Sequence, residues 1–221
     1  MIIRSGLIRN RDGIDFADFT RHWLRVHGPL ALRTPTMRAY AQNHIRERLS
    51  APDGGGLHRV DGISQLWFDD IATMKVAMDS AEQRACIEDI RGFLSDVTIV
   101  IQDEGPVEIA EKTGKGGGAK LFYLLAGETK LLKSLTADIH NTLAASGGGK
   151  VRFNPVSARD VVVDRSVPAG PQVIDGVLEI WPGEARDMAT ARRTVEAARG
   201  VRIIGGYVVD EHVLMPRREL A

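Results

Sequence analysis

The chain has 221 residues, of which 43% are hydrophobic, and its 29 basic residues balance its 29 acidic ones. This composition suits one large or two small globular domains, and the neutral charge argues against nucleic acid or an anionic membrane as a partner. Cys86 is the only cysteine, which excludes an intrachain disulfide and a thiolate metal cluster. No apolar run reaches the roughly 20 residues that span a bilayer, and residues 1–9 lack the layout of a signal peptide. We therefore expect a cytoplasmic protein.

The first predicted elements are a strand over residues 2–9, a turn and a helix. The helix carries four apolar residues at helical spacing, which predicts one buried face: Phe16, Phe19, Trp23 and Val26. We expect Gly28-Pro29 to end this helix, because Gly accepts left-handed backbone geometry and Pro cannot continue the hydrogen-bond ladder. His27 would then lie in the last turn.

Residues 38–48 alternate in a way that predicts a second strand. One side would carry Tyr40, Gln42 and His44, and the other side Ala39, Ala41 and Asn43. A helix that ends in His27, followed by a strand that presents Tyr40, is a compact way to build a polar pocket.

Three further elements complete the first half of the chain. They are a strand over residues 61–68, a helical region that reaches about residue 93 with a split near 79–80, and a strand from 97 that extends toward 109. The order β-α-β-β-α-β is that of a ferredoxin-like unit. Its two helices cover one face of the sheet, so the other face has to be buried against a second such unit.

The same order is predicted again after a Gly-rich linker at residues 112–119. The second-half elements are strands at 121–126, 151–164, 173–181 and 201–215, and helices at 131–145 and 184–199. Asp61-Gly-Ile-Ser-Gln-Leu-Trp67 also lines up with Asp175-Gly-Val-Leu-Glu-Ile-Trp181 at matching element positions. We therefore predict an α+β protein with two tandem ferredoxin-like domains, residues 1–111 and 120–221, that cover each other's bare sheet faces.

The second half does not repeat the polar residues of the first. Aligning the two helices places Leu143 where His27 stands, and Phe153 falls roughly where Tyr40 stands. We expect the pocket in the first half only, with the second domain as a scaffold.

Three blocks of the first half resemble the signature of EthD-type proteins. The blocks are Phe19-x3-Trp23-x3-His27-Gly28-Pro29-Leu30, then Tyr40-x2-Asn43-His44, then residues 63–70. The resemblance covers roughly residues 1–110. EthD-type proteins belong to the dimeric α+β barrel superfamily, which includes methylmuconolactone isomerase and small polyketide-modifying enzymes. The resemblance implies that this chain forms within one molecule, from a first and a degenerate second copy, the barrel that relatives form by dimerising.

His27 is the leading candidate for a general acid/base, because imidazole exchanges protons near neutral pH. Tyr40 is the candidate partner, since its hydroxyl can donate a hydrogen bond to a carbonyl or phenolate oxygen. The resemblance implies that the two line one pocket. The alternative roles are structural: His27 as a capping histidine that binds the last helical carbonyls, and Tyr40 as an ordinary residue of an amphipathic strand.

Four residues are predicted to contact the substrate: Trp23, His44, Gln65 and Trp67. The two tryptophans would supply flat apolar walls, although core packing is the simpler role for them. Gln65 stands where the resemblance leads us to expect an acidic residue, and Glu179 keeps that carboxylate in the repeat. Asn43 alternates away from Tyr40, so we expect it at the interface between the halves.

No metal or cofactor is expected. His22 and His27 diverge by about 140° around a helix, unlike histidines four residues apart that share a face. The glycine triplets at 54–56, 116–118 and 147–149 lack the spacing of a phosphate loop or a dinucleotide fingerprint.

Three functions stay open at this point. The first is a cofactor-free enzyme that isomerises, cyclises or decarboxylates a small lactone, aromatic or polyketide-like compound. The second is a non-catalytic protein that binds a small molecule. The third is oxygen or haem chemistry, with His27 or His44 as the axial ligand. A homodimer is also plausible, since soluble assemblies are commonly twofold.

Overall fold

The computed structural model describes residues 1–50, 57–110, 119–161 and 173–217. The first half contains β1 (Ile2–Asn10), α1 (Phe16–His22), a π-helical turn (Trp23–His27), α2 (Gly28–Ala31), β2 (Ala39–Ser50), β3 (Gly62–Phe68), α3 (Ile71–Met78), α4 (Ala81–Phe93), β4 (Leu94–Asp103) and β5 (Val107–Ala110). The second half contains β6 (Lys120–Ala126), α5 (Thr129–Ser146), β7 (Gly149–Val161), β8 (Gly176–Pro182), α6 (Ala185–Glu196) and β9 (Arg202–Met215). The predicted linker, apart from Ala119, and the first two glycine triplets lie outside the described residues.

Side-chain caps begin α1 and α4 of the first half. The Asp15 side chain accepts a hydrogen bond from the amide of Ala17, and Ser80 accepts one from the amide of Gln83. These caps satisfy amide groups that have no partner inside the helix. The Ser80 cap confirms the predicted split of the helical region into α3 and α4.

The sheet closes on itself. The nine strands of the described residues form one sheet in the order β4-β1-β3-β2-β9-β6-β8-β7-β5, and β4 also pairs with β7. Within the described residues, the halves meet where β2 pairs with β9 and where both β4 and β5 pair with β7, all antiparallel. The molecule is therefore a mixed α+β protein built around a closed antiparallel β-barrel. Among the described residues, no helix is long and apolar enough to cross a membrane.

Alternate residues of β1 face different layers, as strand geometry requires. Ile2 and Ile8 pack with the helices of the first half. Leu7 packs inside the barrel with second-half residues such as Phe122 and Val177. Even-numbered positions of β1, Arg4 included, therefore face the helices, and odd-numbered positions face the barrel interior.

The prediction that Gly28-Pro29 ends the first helix is wrong. Gly28 and Pro29 begin α2, and Gly28 has an ordinary right-handed φ of −54°. Proline is accepted in the first turn of a helix because no hydrogen bond is required of its nitrogen there. Glycine is needed for space, since a Cβ at position 28 would lie 2.6 Å from Cδ2 of Leu214.

One strand prediction also needs correction. The predicted strand from 97 toward 109 is two strands, β4 and β5, and β5 pairs with β7 rather than continuing the β4 ladder. The predicted strand at 201–215 is β9, which runs through Gly205 and Gly206 with register shifts opposite Leu124 and Leu125 on one side and Arg48 and Ser50 on the other.

Candidate active site between the helices and the sheet

The π-helical turn places Trp23 and His27 over the sheet. The amide of Gly28 donates to the carbonyl of Trp23, five residues back, which widens the helix by one residue. Such turns occur frequently at functional sites. The Trp23 ring is buried and stacks on the imidazole of His44, with a centroid distance of 4.5 Å. Trp23 is therefore a wall between the helix and β2, as well as a core residue.

Asp89 of α4 holds two imidazole rings. Its Oδ2 lies 2.9 Å from Nδ1 of His27, and its Oδ1 lies 2.8 Å from Nε2 of His22. Burial acts to raise the pKa of the Asp89 carboxyl, but the hydrogen bonds from both histidines outweigh burial and the pKa lies below its usual value. Asp89 is therefore ionised at neutral pH and accepts the Nδ1 proton of His27. Within the described residues, Nε2 of His27 has no hydrogen-bond partner.

Tyr40 belongs to a hydrogen-bonded chain on β2. The Gln42 amide nitrogen donates to the Tyr40 hydroxyl at 2.8 Å and to the carbonyl of Trp23 at 2.9 Å. His44 Nε2 lies 3.0 Å from the Gln42 amide oxygen, to which it donates. Burial raises the pKa of the Tyr40 hydroxyl far above its usual value, despite the bond from Gln42. Tyr40 is thus a neutral hydrogen-bond donor and not a base.

His44 plays a different part from His27. Burial, followed by the nearby His212, lowers the pKa of His44 to about 4, so its ring is neutral at physiological pH. Its Nε2 is already bonded to Gln42 and its face is covered by Trp23. His44 therefore orients Gln42, and through it Tyr40.

A small cavity lies between the helices and the sheet of the first half. Its volume is about 40 Å³, and its lining includes His27, Tyr40, Arg4, Thr34 and Cys86. A cavity of this size holds ordered water or one small polar group. His27 and Tyr40, predicted as a catalytic pair, therefore line one enclosed space.

Arg4 and Cys86 were not singled out from the sequence. Arg4 is 7% exposed and burial lowers its pKa to about 10, so the guanidinium remains charged at neutral pH. Burial, with a contribution from Asp89, raises the pKa of the Cys86 thiol to about 11, so it is a neutral thiol and not a nucleophile. The sequence did contain one indication of Arg4, because a charged residue stands at a helix-facing position between Ile2 and Ile8.

Gln65, Trp67 and Asn43 lie on the opposite face of the sheet, inside the barrel. The Asn43 amide nitrogen donates to the Gln65 amide oxygen at 3.0 Å, and Lys120 Nζ of the second half donates to Asn43 at 3.0 Å. The Trp67 indole donates to Glu104 at 3.1 Å. The predicted residues therefore form two groups separated by the sheet: His27, Tyr40, Trp23 and His44 on the helix side, and Asn43, Gln65 and Trp67 inside the barrel.

The barrel interior is a network of paired charges. Lys120 Nζ lies 2.5 Å from Glu179 Oε2 and 2.6 Å from Glu211 Oε1, and Arg152 Nη2 lies 2.7 Å from Glu179 Oε1. Burial alone would raise the pKa of Glu179, but Arg152 and Lys120 hold it well below its usual value. Each charged group has an oppositely charged neighbour, so this network joins the halves without leaving a reactive group free.

The second half has no polar counterpart of the His27 cavity at the positions that strand pairing makes equivalent. In the first half, Tyr40 pairs with Leu66. The alignment of residues 61–67 with 175–181 places Ile180 at the position of Leu66, and Ile180 pairs with Val151. Val151 therefore takes the place of Tyr40. Phe153 instead takes the place of Gln42, so the predicted match of Phe153 with Tyr40 is wrong by two residues. The error arises because strand register is set by pairing partners and not by distance along the chain.

Residues 11–96 match the family model described as the EthD domain. No curated protein matches the chain. An anthrone oxidase-like protein shares 6% identity over 100% of this chain and 95% of its own, with a TM-score of 0.57. A chlorite dismutase variant from Candidatus Nitrospira defluvii shares 7% identity over 95% and 90%, with a TM-score of 0.50. An ethyl tert-butyl ether d (EthD) family protein from Bacillus halodurans c-125 shares 22% identity over 47% of this chain and 99% of its own, with a TM-score of 0.38.

The closed barrel with helices on its outside is a fold that the chain shares with the anthrone oxidase-like protein. The EthD match covers residues 11–96 and so describes the N-terminal part of the chain alone. Similarity to solved structures at these identities establishes the fold alone, because one fold supports many reactions.

Proposed function

We propose that the chain is a cofactor-free enzyme that moves protons on a small lactone, aromatic or polyketide-like compound, by isomerisation, cyclisation or decarboxylation. One observation carries this proposal: His27, bonded to Asp89 through Nδ1 and unpaired at Nε2 within the described residues, lines the same cavity as the neutral hydroxyl of Tyr40. A base and a hydrogen-bond donor in one water-poor space are the groups that such reactions need.

The chemistry assigns one role to each residue. Nε2 of His27 removes a proton from a carbon next to a carbonyl, and the Tyr40 hydroxyl donates a hydrogen bond to the enolate oxygen that develops. The imidazolium then returns the proton to another carbon of the same intermediate. Asp89 is a positioning residue, since it fixes the His27 tautomer and stabilises the imidazolium. No oxidant or reductant enters this sequence of steps.

Haem chemistry is not favoured by the site. The present cavity of about 40 Å³ is smaller than an ordinary ligand pocket for haem and for a ring substrate alike, so its volume does not distinguish them. His44, the second candidate axial ligand, is bonded to Gln42 and stacked on Trp23.

A non-catalytic binding protein is the second candidate. The observation that favours it is the cavity's small volume of about 40 Å³, which leaves little room for a substrate to change shape. The two candidates differ in one measurable respect, since only the enzyme exchanges substrate protons.

We also propose that the two halves are tandem ferredoxin-like domains derived from one ancestral unit, residues 1–111 and 120–221, with the second as a scaffold. Two indole–carboxylate pairs at matching positions support this: Trp67 with Glu104, and Trp181 with Glu211. The homodimer and the cytoplasmic location remain predictions.

The test is proton exchange into a panel of lactones and 1,3-dicarbonyl compounds in D2O, followed by NMR. Wild type should accelerate exchange for at least one compound, and His27→Ala should lower the rate roughly 10²–10⁴-fold while keeping the circular dichroism spectrum. His22→Ala is the matched control, because His22 also binds Asp89 but does not line the cavity. Binding without exchange would favour the non-catalytic candidate, and undiminished exchange by His27→Ala would reject His27 as the base.

A further inference from the structure

Two arginines of this chain are equally buried but differently paired. Arg4 and Arg152 are each 7% exposed. The Arg152 guanidinium lies 2.7 Å from Glu179 and 3.4 Å from Glu104. Within the described residues, no carboxylate pairs with Arg4, and its buried Nε has no hydrogen-bond acceptor.

An unpaired buried guanidinium is costly to the folded state. Taking a charge out of water costs several kcal/mol unless a counter-charge and hydrogen bonds replace the water. Buried polar atoms without a partner are uncommon in folded proteins, and each one requires an explanation, of which a bound ligand is one. Arg152 is satisfied by the chain itself, whereas Arg4 lines the cavity of His27 and Tyr40.

We propose that Arg4 is the binding group for a carboxylate of the ligand, so that the pocket takes small carboxylic acids such as ring or lactone acids. This inference rests on the proposed function for the location of the ligand beside His27. A guanidinium presents a planar fork that matches the two oxygens of a carboxylate. The existing cavity of about 40 Å³ has room for that group, and the rest of the ligand requires its walls to move.

The neighbouring groups favour this role. Cys86 lies beside Arg4 as a neutral thiol, so it does not compete as an anion for the guanidinium. An acid anchored on Arg4 would be held at one end, which orients its ring carbons toward His27 and lowers the entropy lost in reaching a reactive geometry.

The experiment compares each acid with its neutral methyl ester. Benzoate, phenylacetate and 5-oxotetrahydrofuran-2-carboxylate are titrated by calorimetry into wild type, Arg4→Met, Arg4→Lys and His27→Ala. At least one acid should bind wild type at least tenfold more tightly than its ester. Arg4→Met should weaken the binding of that acid roughly 10- to 100-fold, which is the effect of losing hydrogen bonds to a charged group. The affinity of Arg4→Lys should lie between those of wild type and Arg4→Met. The ¹⁵Nε–¹H resonance of Arg4 should shift on binding of the acid.

Unfolding midpoints provide the control for folding. Arg4→Met should unfold at or above the wild-type temperature, because it removes an unpaired charge. Arg152→Met removes the guanidinium that pairs with Glu179 and Glu104, so this variant should unfold at a lower temperature. A loss of acid binding with intact stability would therefore be a loss of recognition.

Three results would overturn the inference: equal affinity for acid and ester, retained affinity in Arg4→Met, or no binding of any acid to wild type. The proposed function fails separately. If acids bind through Arg4 but no compound exchanges protons, the acid site stands and the enzyme does not. If neutral lactones exchange protons through His27 without any preference for acids, the proposed enzyme stands and the acid site does not.

Discussion

The helix-side layers of the two halves differ in what fills them. In the first half the layer contains His27, Tyr40 and Arg4 around a cavity. In the second half it is a continuous apolar cluster that includes Tyr123 and Leu143. Strand pairing makes the position of Tyr123 equivalent to that of Gly6, so a large ring occupies in one half the space that a glycine leaves open in the other.

In this architecture the second half supplies apolar packing, and the first half carries the polar residues proposed for chemistry. The second half buries large apolar side chains and satisfies the packing that a fold needs. The first half keeps, within its described residues, an unpaired guanidinium and an imidazole with a free nitrogen in the equivalent layer, which no stability argument would favour. Local violations of packing rules are expected at functional sites.

The largest effect on the rate of proton exchange is expected when His27 is replaced by leucine, the residue at the aligned position 143. His27→Leu, which copies the residue at position 143, should lower the rate of proton exchange roughly 10²–10⁴-fold because the base is lost. The urea midpoint should fall modestly, because leucine fills the buried position but Asp89 loses one of its two hydrogen-bond partners. Exchange that survives this substitution would mean that the polar layer is not where the chemistry takes place.

Opening a cavity in the second half should cost stability and leave the chemistry intact. Tyr123 is 1% exposed, and its ring packs in the apolar cluster beneath α5 and α6. Tyr123→Ala should lower the free energy of unfolding by about 3–5 kcal/mol, measured by urea denaturation, because a ring-sized cavity remains. If the substitution also abolished exchange in the folded protein, the second half would not be a mere scaffold.

Removing one hydroxyl from each half should have opposite results. Tyr40→Phe should reduce exchange roughly 10- to 100-fold, because the enolate loses a hydrogen bond of about 1–3 kcal/mol. Tyr123→Phe should leave exchange unchanged and stabilise the fold by up to about 1 kcal/mol, since the Tyr123 hydroxyl is buried without a partner in the described part of the chain. Rates and unfolding curves of both variants test the contrast.

The smallest expected effect is a pH dependence confined to the polar layer. The pKa of Asp89 is lowered on folding, so its ionised form stabilises the protein above its ordinary pKa of 3.8, and this contribution is lost as the pH falls through the lower folded value. The stability difference between wild type and Asp89→Asn should therefore shrink between pH 7 and pH 3. The difference for Leu143→Ala should vary much less over that range, because leucine does not titrate. A constant difference for Asp89→Asn would contradict the assigned hydrogen bonds between the Asp89 carboxylate and the two histidines.

Several features of the site were predictable because they depend on local sequence. Only half of the predicted buried helix face is buried: Phe19 and Trp23 are, but Phe16 is 42% and Val26 46% exposed, so the prediction is wrong for those two. The π-helical turn changes the helical phase beyond Trp23, which the spacing alone did not indicate. Strand alternation correctly separated Tyr40 from Asn43. Gly28-Pro29 misled because the same dipeptide suits a helix end and a helix start, and the contact with Leu214 that distinguishes them comes from the far end of the chain.

Other features depended on residues that are distant in sequence. Asp89 meets His27 across 62 positions, and Lys120 meets Asn43 across 77, so no pattern along the chain connects them. Gln65 and Trp67 lie in the same strand as Leu66, yet the closure of the barrel decides that they face paired charges instead of the cavity.

The sequence by itself determined the order of the main elements, the burial of Phe19 and Trp23 in the first helix and the presence of His27 and Tyr40 on neighbouring elements. These follow from local periodicity and capping, which act over a few residues. Only the tertiary structure decided that Asp89 orients His27, that Arg4 lies in the same cavity without a carboxylate partner among the described residues, and that the barrel-facing residues form a separate network. Those relations depend on strand register and helix packing, where one step along a strand moves a side chain to the other face of the sheet.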